Sequence, residues 1–190
     1  MSLCRCQDSP NLFSPLELDP MYKGEGITIN PTNSLLLTGV CGTNRPSVLG
    51  MRGVEVREGS GEQGYFEVRI IKSAPIFIGL ATHEVTNPHS QILERASFAW
   101  FCNGEIWSHL PGISDDYDEA KQSARRHRTG DVVGIMVDCT AEPQLRIFVN
   151  GVQVEWVAVA QDGFGQVLYP AFCLGNAQIC MSSNPDLPTV

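Results

Sequence analysis

Two cysteine–histidine pairs carry the residue types of nucleophilic catalysis, Cys102 with His109 and Cys139 with His83. That chemistry needs a thiolate, a base within hydrogen-bond reach and a third group that orients the base. Neither pair has a spacing that selects it. Cys139 directly follows the apolar run GIMVD, which reads as a structural thiol at a strand end. Gly59, Gly61 and Gly64 satisfy the glycine spacing of a dinucleotide-binding loop. Such a loop must open a helix whose N-terminus meets the pyrophosphate, whereas the strand-like GYFEVRI follows here, so an inter-strand turn is expected. His83 and Glu84 begin like a zinc-protease helix, but Asn87 stands where the second metal ligand would be. Cys4 and Cys6 have no second Cys or His pair at zinc-finger spacing. Asp131 in TGDVVG reads as the cap of a turn leading into a strand. These residues predict no catalytic group, no metal site and no cofactor.

The elements that would have to position any site are strands. Short Val, Ile, Leu and aromatic runs recur from about Ile27 onward, separated by Gly, Pro, Asn and Asp, which is the rhythm of an all-β sandwich or barrel. Expected strands are 34–38, 53–56, 64–71, 76–81, 97–102, 105–109, 132–138, 145–149, 152–157, 168–174 and 177–181. The sharpest local signal is Asn150-Gly151, a pair suited to the two positive-φ positions of a type I′ turn. A two-residue link pairs Val149 with Val152, Phe148 with Gln153, Ile147 with Val154, Arg146 with Glu155 and Leu145 with Trp156. One face of this hairpin is then wholly apolar, and both Trp156 and Trp100 are expected in the core. Trp107, which alternates with polar neighbours in EIWSHL, is a candidate for a binding surface. Residues 115–128, DDYDEAKQSARRHR, balance four acids against four bases and read as a solvated loop with a helical turn or two. Residues 1–23, with Pro10, Pro15 and Pro20, read as an irregular N-terminal arm. They precede a domain over 24–184 and a tail over 185–190.

The 190 residues carry 13 Lys plus Arg and 21 Asp plus Glu, a formal net charge of −8. That balance argues against direct nucleic-acid binding and against an anionic membrane surface, both of which require concentrated basic groups. A hydrophobic content of 43% supports a real core in a chain of this length. The seven cysteines are odd in number and lie scattered through apolar stretches, which suits reduced, buried thiols. Residues 1–20 contain no apolar run of the kind a secretory signal needs, and no apolar stretch approaches membrane-spanning length. The expected location is cytoplasmic or nuclear.

Four segments, taken in order, resemble the SPRY domain family. GYFEVRI followed by IFIGLAT resembles its Tyr/Phe-Glu-Val strand and the Gly-containing strand after it. SFAWFCNGEIWS resembles its Trp-containing strand and hairpin. GDVVGIMVDCTAEPQLRIFVNG resembles its Gly-Asp-led strand and the strand ending in Asn-Gly, and LYPAFCLGNAQICM resembles its closing strand pair. Together these cover about Gly39 to Met181. The resemblance implies a curved, two-sheet antiparallel β-sandwich that binds partner proteins through loops at one edge and catalyses nothing. It further implies, by analogy, a place as adaptor or subunit in a ubiquitin-ligase, chromatin or RNA-processing assembly.

The resemblance also carries over a peptide-binding pocket, position by position. An Arg and a Pro upstream of the M/I-R-G segment correspond to Arg45 and Pro46, the middle-loop positions to Ile92 and Leu93, and the closing-strand positions to Leu174 and Gly175. Trp107 completes the candidate partner-binding set. Arg45 offers a planar fork of donors for a carboxylate or for main-chain carbonyls, and Pro46 presets its loop. Two alternatives remain. A lectin-like sandwich would bind a carbohydrate or other small ligand on its concave sheet, with Trp107, Asn103 and His109 as the cluster. An obligate subunit of a larger assembly would show an exposed apolar patch.

Overall fold

The computed structural model describes residues 11–32, 35–40, 46–83, 97–101, 103–113, 121–122, 126–183 and 185–188. Fifteen strands, numbered in chain order, form two antiparallel sheets among these residues. The first sheet runs β1 (Leu18–Lys23), β4 (Ser47–Gly50), β14 (Val167–Leu174), β7 (Ile76–Ala81), β8 (Ser97–Phe101), β9 (Glu105–Ser108) and β10 (Lys121–Gln122). Off this path, β5 (Val54–Glu55) pairs with the start of β14. The second sheet runs β13 (Val152–Ala158), β12 (Gln144–Val149), β11 (Val132–Asp138), β6 (Gln63–Lys72), β15 (Gln178–Met181), β3 (Leu36–Gly39) and β2 (Ile27–Ile29). The expected all-β sandwich is therefore the observed one. No described helix is long and apolar enough to cross a membrane.

Period-two alternation explains the packing. In β6, Phe66, Val68 and Ile70 point inward with no exposed surface, whereas Arg69 and Ile71 are exposed. They meet Ile78, Leu80, Phe98, Trp100 and Phe172 from the first sheet in one continuous core. Each large side chain buried this way contributes about 1.5–3 kcal/mol before entropy is counted. Phe66 anchors the centre, edge-on to both Phe13 and Phe172 at centroid distances of 6.0 and 5.4 Å.

Leu18–Lys23 lies within the stretch expected to be irregular, yet it is an edge strand paired with β4. Just before it, Phe13 and Leu16 are buried in the main core. Asn11 fastens this segment. Its Oδ1 accepts from the Tyr65 N–H at 2.8 Å, and its Nδ2 donates to the carbonyls of Tyr65 at 2.9 Å and Pro185 at 3.2 Å.

The Asn150-Gly151 turn forms as expected, with φ of 52° and 76°, but the hairpin register holds only next to it. Val149 faces Val152 and Phe148 faces Gln153. Ile147 then faces Glu155, so Val154 is an extra residue on β13. This bulge shifts every later pair by one. Leu145 meets Val157, and Arg146 meets Trp156 rather than Glu155. A one-residue slip exchanges faces, so Trp156 is 49% exposed and outside the core, while Trp100 is fully buried. Arg146 instead reaches Asp138 at 3.2 Å and Gln153 at 3.2 Å.

Of the loop expected over residues 115–128, Lys121 and Gln122 form a short strand paired with Ile106 and Glu105. His127 is only 4% exposed, with its ring against Trp100, which corrects the reading of that position as solvated.

Candidate functional site

At one end of the first sheet, the start of β4 meets the end of β14. The Leu174 N–H donates to the Pro46 carbonyl at 3.1 Å, and the Gly175 N–H donates to the Pro75 carbonyl at 2.8 Å. Pro46, Leu174 and Gly175, predicted from sequence at widely separated positions, thus sit side by side. The β2–β3 hairpin lies flat against them because two glycines permit it. A Cβ on Gly26 would stand 2.6 Å from Pro46 Cγ, and one on Gly39 would run into the Leu174 carbonyl.

All three residues are buried, so they form a floor, and the solvent-facing surface over it belongs to their neighbours. Val40 is 58% exposed, its N–H tied to the Gly26 carbonyl at 2.8 Å. Pro75 and Asn176 are also exposed, and Asn176 Oδ1 accepts from Lys72 Nζ at 3.2 Å. Arg45, Ile92 and Leu93 lie outside the described residues. Val40 was not picked out from sequence, although alternation along Leu36, Thr38 and Val40 places it on the outward face of its strand.

Trp107 lies on β9, three strands from β14, and is half-buried. A packed band links it to the corner. Cys173, which pairs with Ser47, packs with Phe77, Ala99 and Phe101 on the outward face of the sheet. Phe101 and Trp107 are 5.9 Å apart between ring centroids, and Trp107 and His109 are 6.3 Å apart. The Trp107 indole N–H donates to Glu105 Oε2 at 3.2 Å, and Asn103 Oδ1 accepts from the Glu105 N–H at 3.1 Å. These polar groups of the proposed sugar cluster are therefore bonded to their own turn.

Among the described residues, the residue types of catalysis do not converge. Burial pushes the Cys139 thiol up, away from the thiolate, and the thiol faces the Glu55 carbonyl at 3.9 Å. His83 is stacked between Tyr169 and Tyr22, at 3.8 and 4.6 Å. Cys102 lies outside the described residues. Burial raises the Tyr65 phenol, and its hydrogen bond to Glu67 Oε1 at 2.6 Å raises it further. The glycine loop is a turn, with Gly59 and Gly61 at φ of 63° and 75°, leading into β6. Asp131 caps its turn, accepting from the Arg128 N–H at 2.9 Å. Among the described residues no group of three or more His, Cys, Asp or Glu is arranged to hold a metal ion.

A search of curated proteins by sequence gave no match. By structure the chain is similar to a human SPRY domain, at 17% identity and a TM-score of 0.60, covering 86% of this chain and 98% of that one. It is similar to the SPRY domain of human HERC1, at 14% identity and 0.60, covering 90% and 99%. The TRIM65 PSpry domain is also similar, at 15% identity and 0.63, covering 93% and 94%. At such identities the likeness is one of fold. The SPRY domain family model matches residues 63–185, from the start of β6 to just beyond β15. With most of its length matched by that model and its sandwich shared with solved members, the chain belongs to the SPRY domain family.

Proposed function

We propose that this domain docks a short segment of a partner protein on the corner floored by Pro46, Leu174 and Gly175, as an adaptor or complex subunit and without catalysing a reaction on it. SPRY domains are generally protein-interaction modules. The observation that carries the reading is the convergence of these three positions beneath an exposed Val40. Main-chain hydrogen bonds from Leu174 to Pro46, from Gly39 to Ala177 and from Gly24 to Ser47 tie the corner, so binding would order few additional groups. Val40 supplies an apolar anchor, Asn176 and Lys72 supply a polar rim, and a few such anchors carry most of the energy of a docking surface.

The test is affinity capture from cell extract with the wild type, Arg45→Ala, Val40→Asp, and Trp156→Ala as a control on the other sheet. A specific partner should be lost with the first two variants and retained with the third. A partner retained equally by all four proteins removes the corner from the site. Glycan binding abolished by Trp107→Ala would replace this reading with the carbohydrate one.

A further inference from the structure

The turn between β12 and β13 holds a reactive pair that docking does not use. Asn150 and Gly151 are both exposed, and nothing lies within 4 Å of where a Gly151 Cβ would stand. A following glycine gives the least steric screening to the backbone nitrogen that can attack an asparagine side chain, and Asn is a thermolabile residue for this reason. In the fold the Asn150 carboxamide is held at both ends. Its Oδ1 accepts from the Val132 N–H at 2.9 Å, and its Nδ2 donates to Asp131 Oδ1 at 2.9 Å. Asp131 is itself buried and anchored by the Arg128 N–H.

We propose that Asn150 is a site of spontaneous deamidation whose rate is held down by Asp131, and whose product unfastens the corner where β11, β12 and β13 meet. In the reaction the Gly151 backbone nitrogen attacks Asn150 Cγ and forms a new C–N bond. The side-chain nitrogen leaves as ammonia, carrying the proton that Gly151 gives up. Water then opens the cyclic imide at one of its two carbonyls, leaving aspartate or isoaspartate. No oxidant or reductant is required.

Attack requires the carboxamide to turn toward residue 151, which breaks both of its hydrogen bonds. The one to Asp131 is charge-assisted and is the stronger restraint. The product inverts the contact, because a carboxylate then stands where a donor stood, against the Asp131 carboxylate. Isoaspartate also lengthens the backbone of a two-residue link whose geometry sets the strand register.

The same chain contains an internal reference. Asn103-Gly104 is a second Asn-Gly pair in a turn, and its Oδ1 accepts from the Glu105 N–H at 3.1 Å. The experiment incubates the whole protein at neutral pH and follows amide-to-acid conversion at both pairs by peptide mass spectrometry, in the wild type and in Asp131→Ala. Loss of one charge-assisted hydrogen bond should accelerate conversion at Asn150 about tenfold, with Asn103 unchanged. Equal rates at Asn150, or equal acceleration at both pairs, overturns the clamp.

A second measurement covers the consequence. Asn150→Asp should lower the urea midpoint, and adding Asp131→Asn, which exchanges acid and amide, should restore it. An Asn150→Asp protein as stable as the wild type, or one that the second change does not rescue, overturns the unfastening.

Discussion

Acidification to pH 4 should destabilise this domain through one histidine. The His127 ring packs edge-on to Trp100, 4.6 Å between centroids, and only 4% of the residue meets solvent. Burial penalises the imidazolium, and the Trp100 carbonyl and the Asp131 carboxylate offset this only in part, so the pKa falls from 6.5 to about 4. Between those values the unfolded chain binds a proton that the folded chain refuses. Stability is therefore complete above pH 6.5 and declines as pH falls to about 4. At about 1.4 kcal/mol per pH unit, the loss amounts to about 3 kcal/mol, a large share of a typical domain's stability. Urea titrations at pH 7 and pH 4 on the wild type and on His127→Gln measure it, since the variant cannot titrate there. The other histidines are common to both proteins and cancel in the difference. If both proteins lost equal stability over this range, His127 would not be the buried neutral group described.

Tryptophan variants should separate by environment: Trp100→Ala should cost about 3–5 kcal/mol in urea unfolding, and the exposed Trp156→Ala below about 1 kcal/mol. Arg146→Ala should cost about 2–4 kcal/mol at neutral pH by leaving the buried Asp138 without its cation. Burial works to raise the Asp138 carboxyl, but hydrogen bonds from Thr140 and Gln63 and the Arg146 charge outweigh it and hold the group below 3.8. Its stabilising effect is present above that value and is lost as pH falls below it, so the penalty for Arg146→Ala should shrink under strong acid. Thiol labelling read by mass spectrometry should find Cys139 protected in the native protein and reactive only in urea, because burial keeps its thiol both covered and protonated.

The strands that could be read from sequence are those long enough to alternate. β7 and β11 occupy the expected residues, and β6, β12 and β14 differ by one or two at their ends. The strands that escaped notice are short or carry a contrary signal. β1 contains Pro20, which cannot donate to a strand ladder and so reads as a break, and β4 spans four residues fully buried on both faces, so it shows no alternation. Trp156 was misplaced for a single reason. A bulge leaves no mark in composition, and once Val154 is unpaired every residue beyond it changes face. At the candidate site, family resemblance brought Pro46, Leu174 and Gly175 forward, but a match of residue types cannot distinguish a floor from a rim. Val40 is exposed because Gly39 lets the chain press against Leu174 just before it, a contact between segments more than a hundred residues apart.

The hydrogen bond from Asn11 to the Pro185 carbonyl brings the two flanks of the sandwich within 3.2 Å of one another. Because the chain arrives and departs at nearly the same point, the domain can sit as a branch on a larger polypeptide, spliced into a surface loop without forcing that loop's ends apart. Asn11 also holds Tyr65 of β6 through both of its side-chain polar atoms, so the point where the flanks meet is fastened to the second sheet. The corner proposed for docking is built from β4, β14 and the β2–β3 hairpin, none of which includes Asn11 or Pro185.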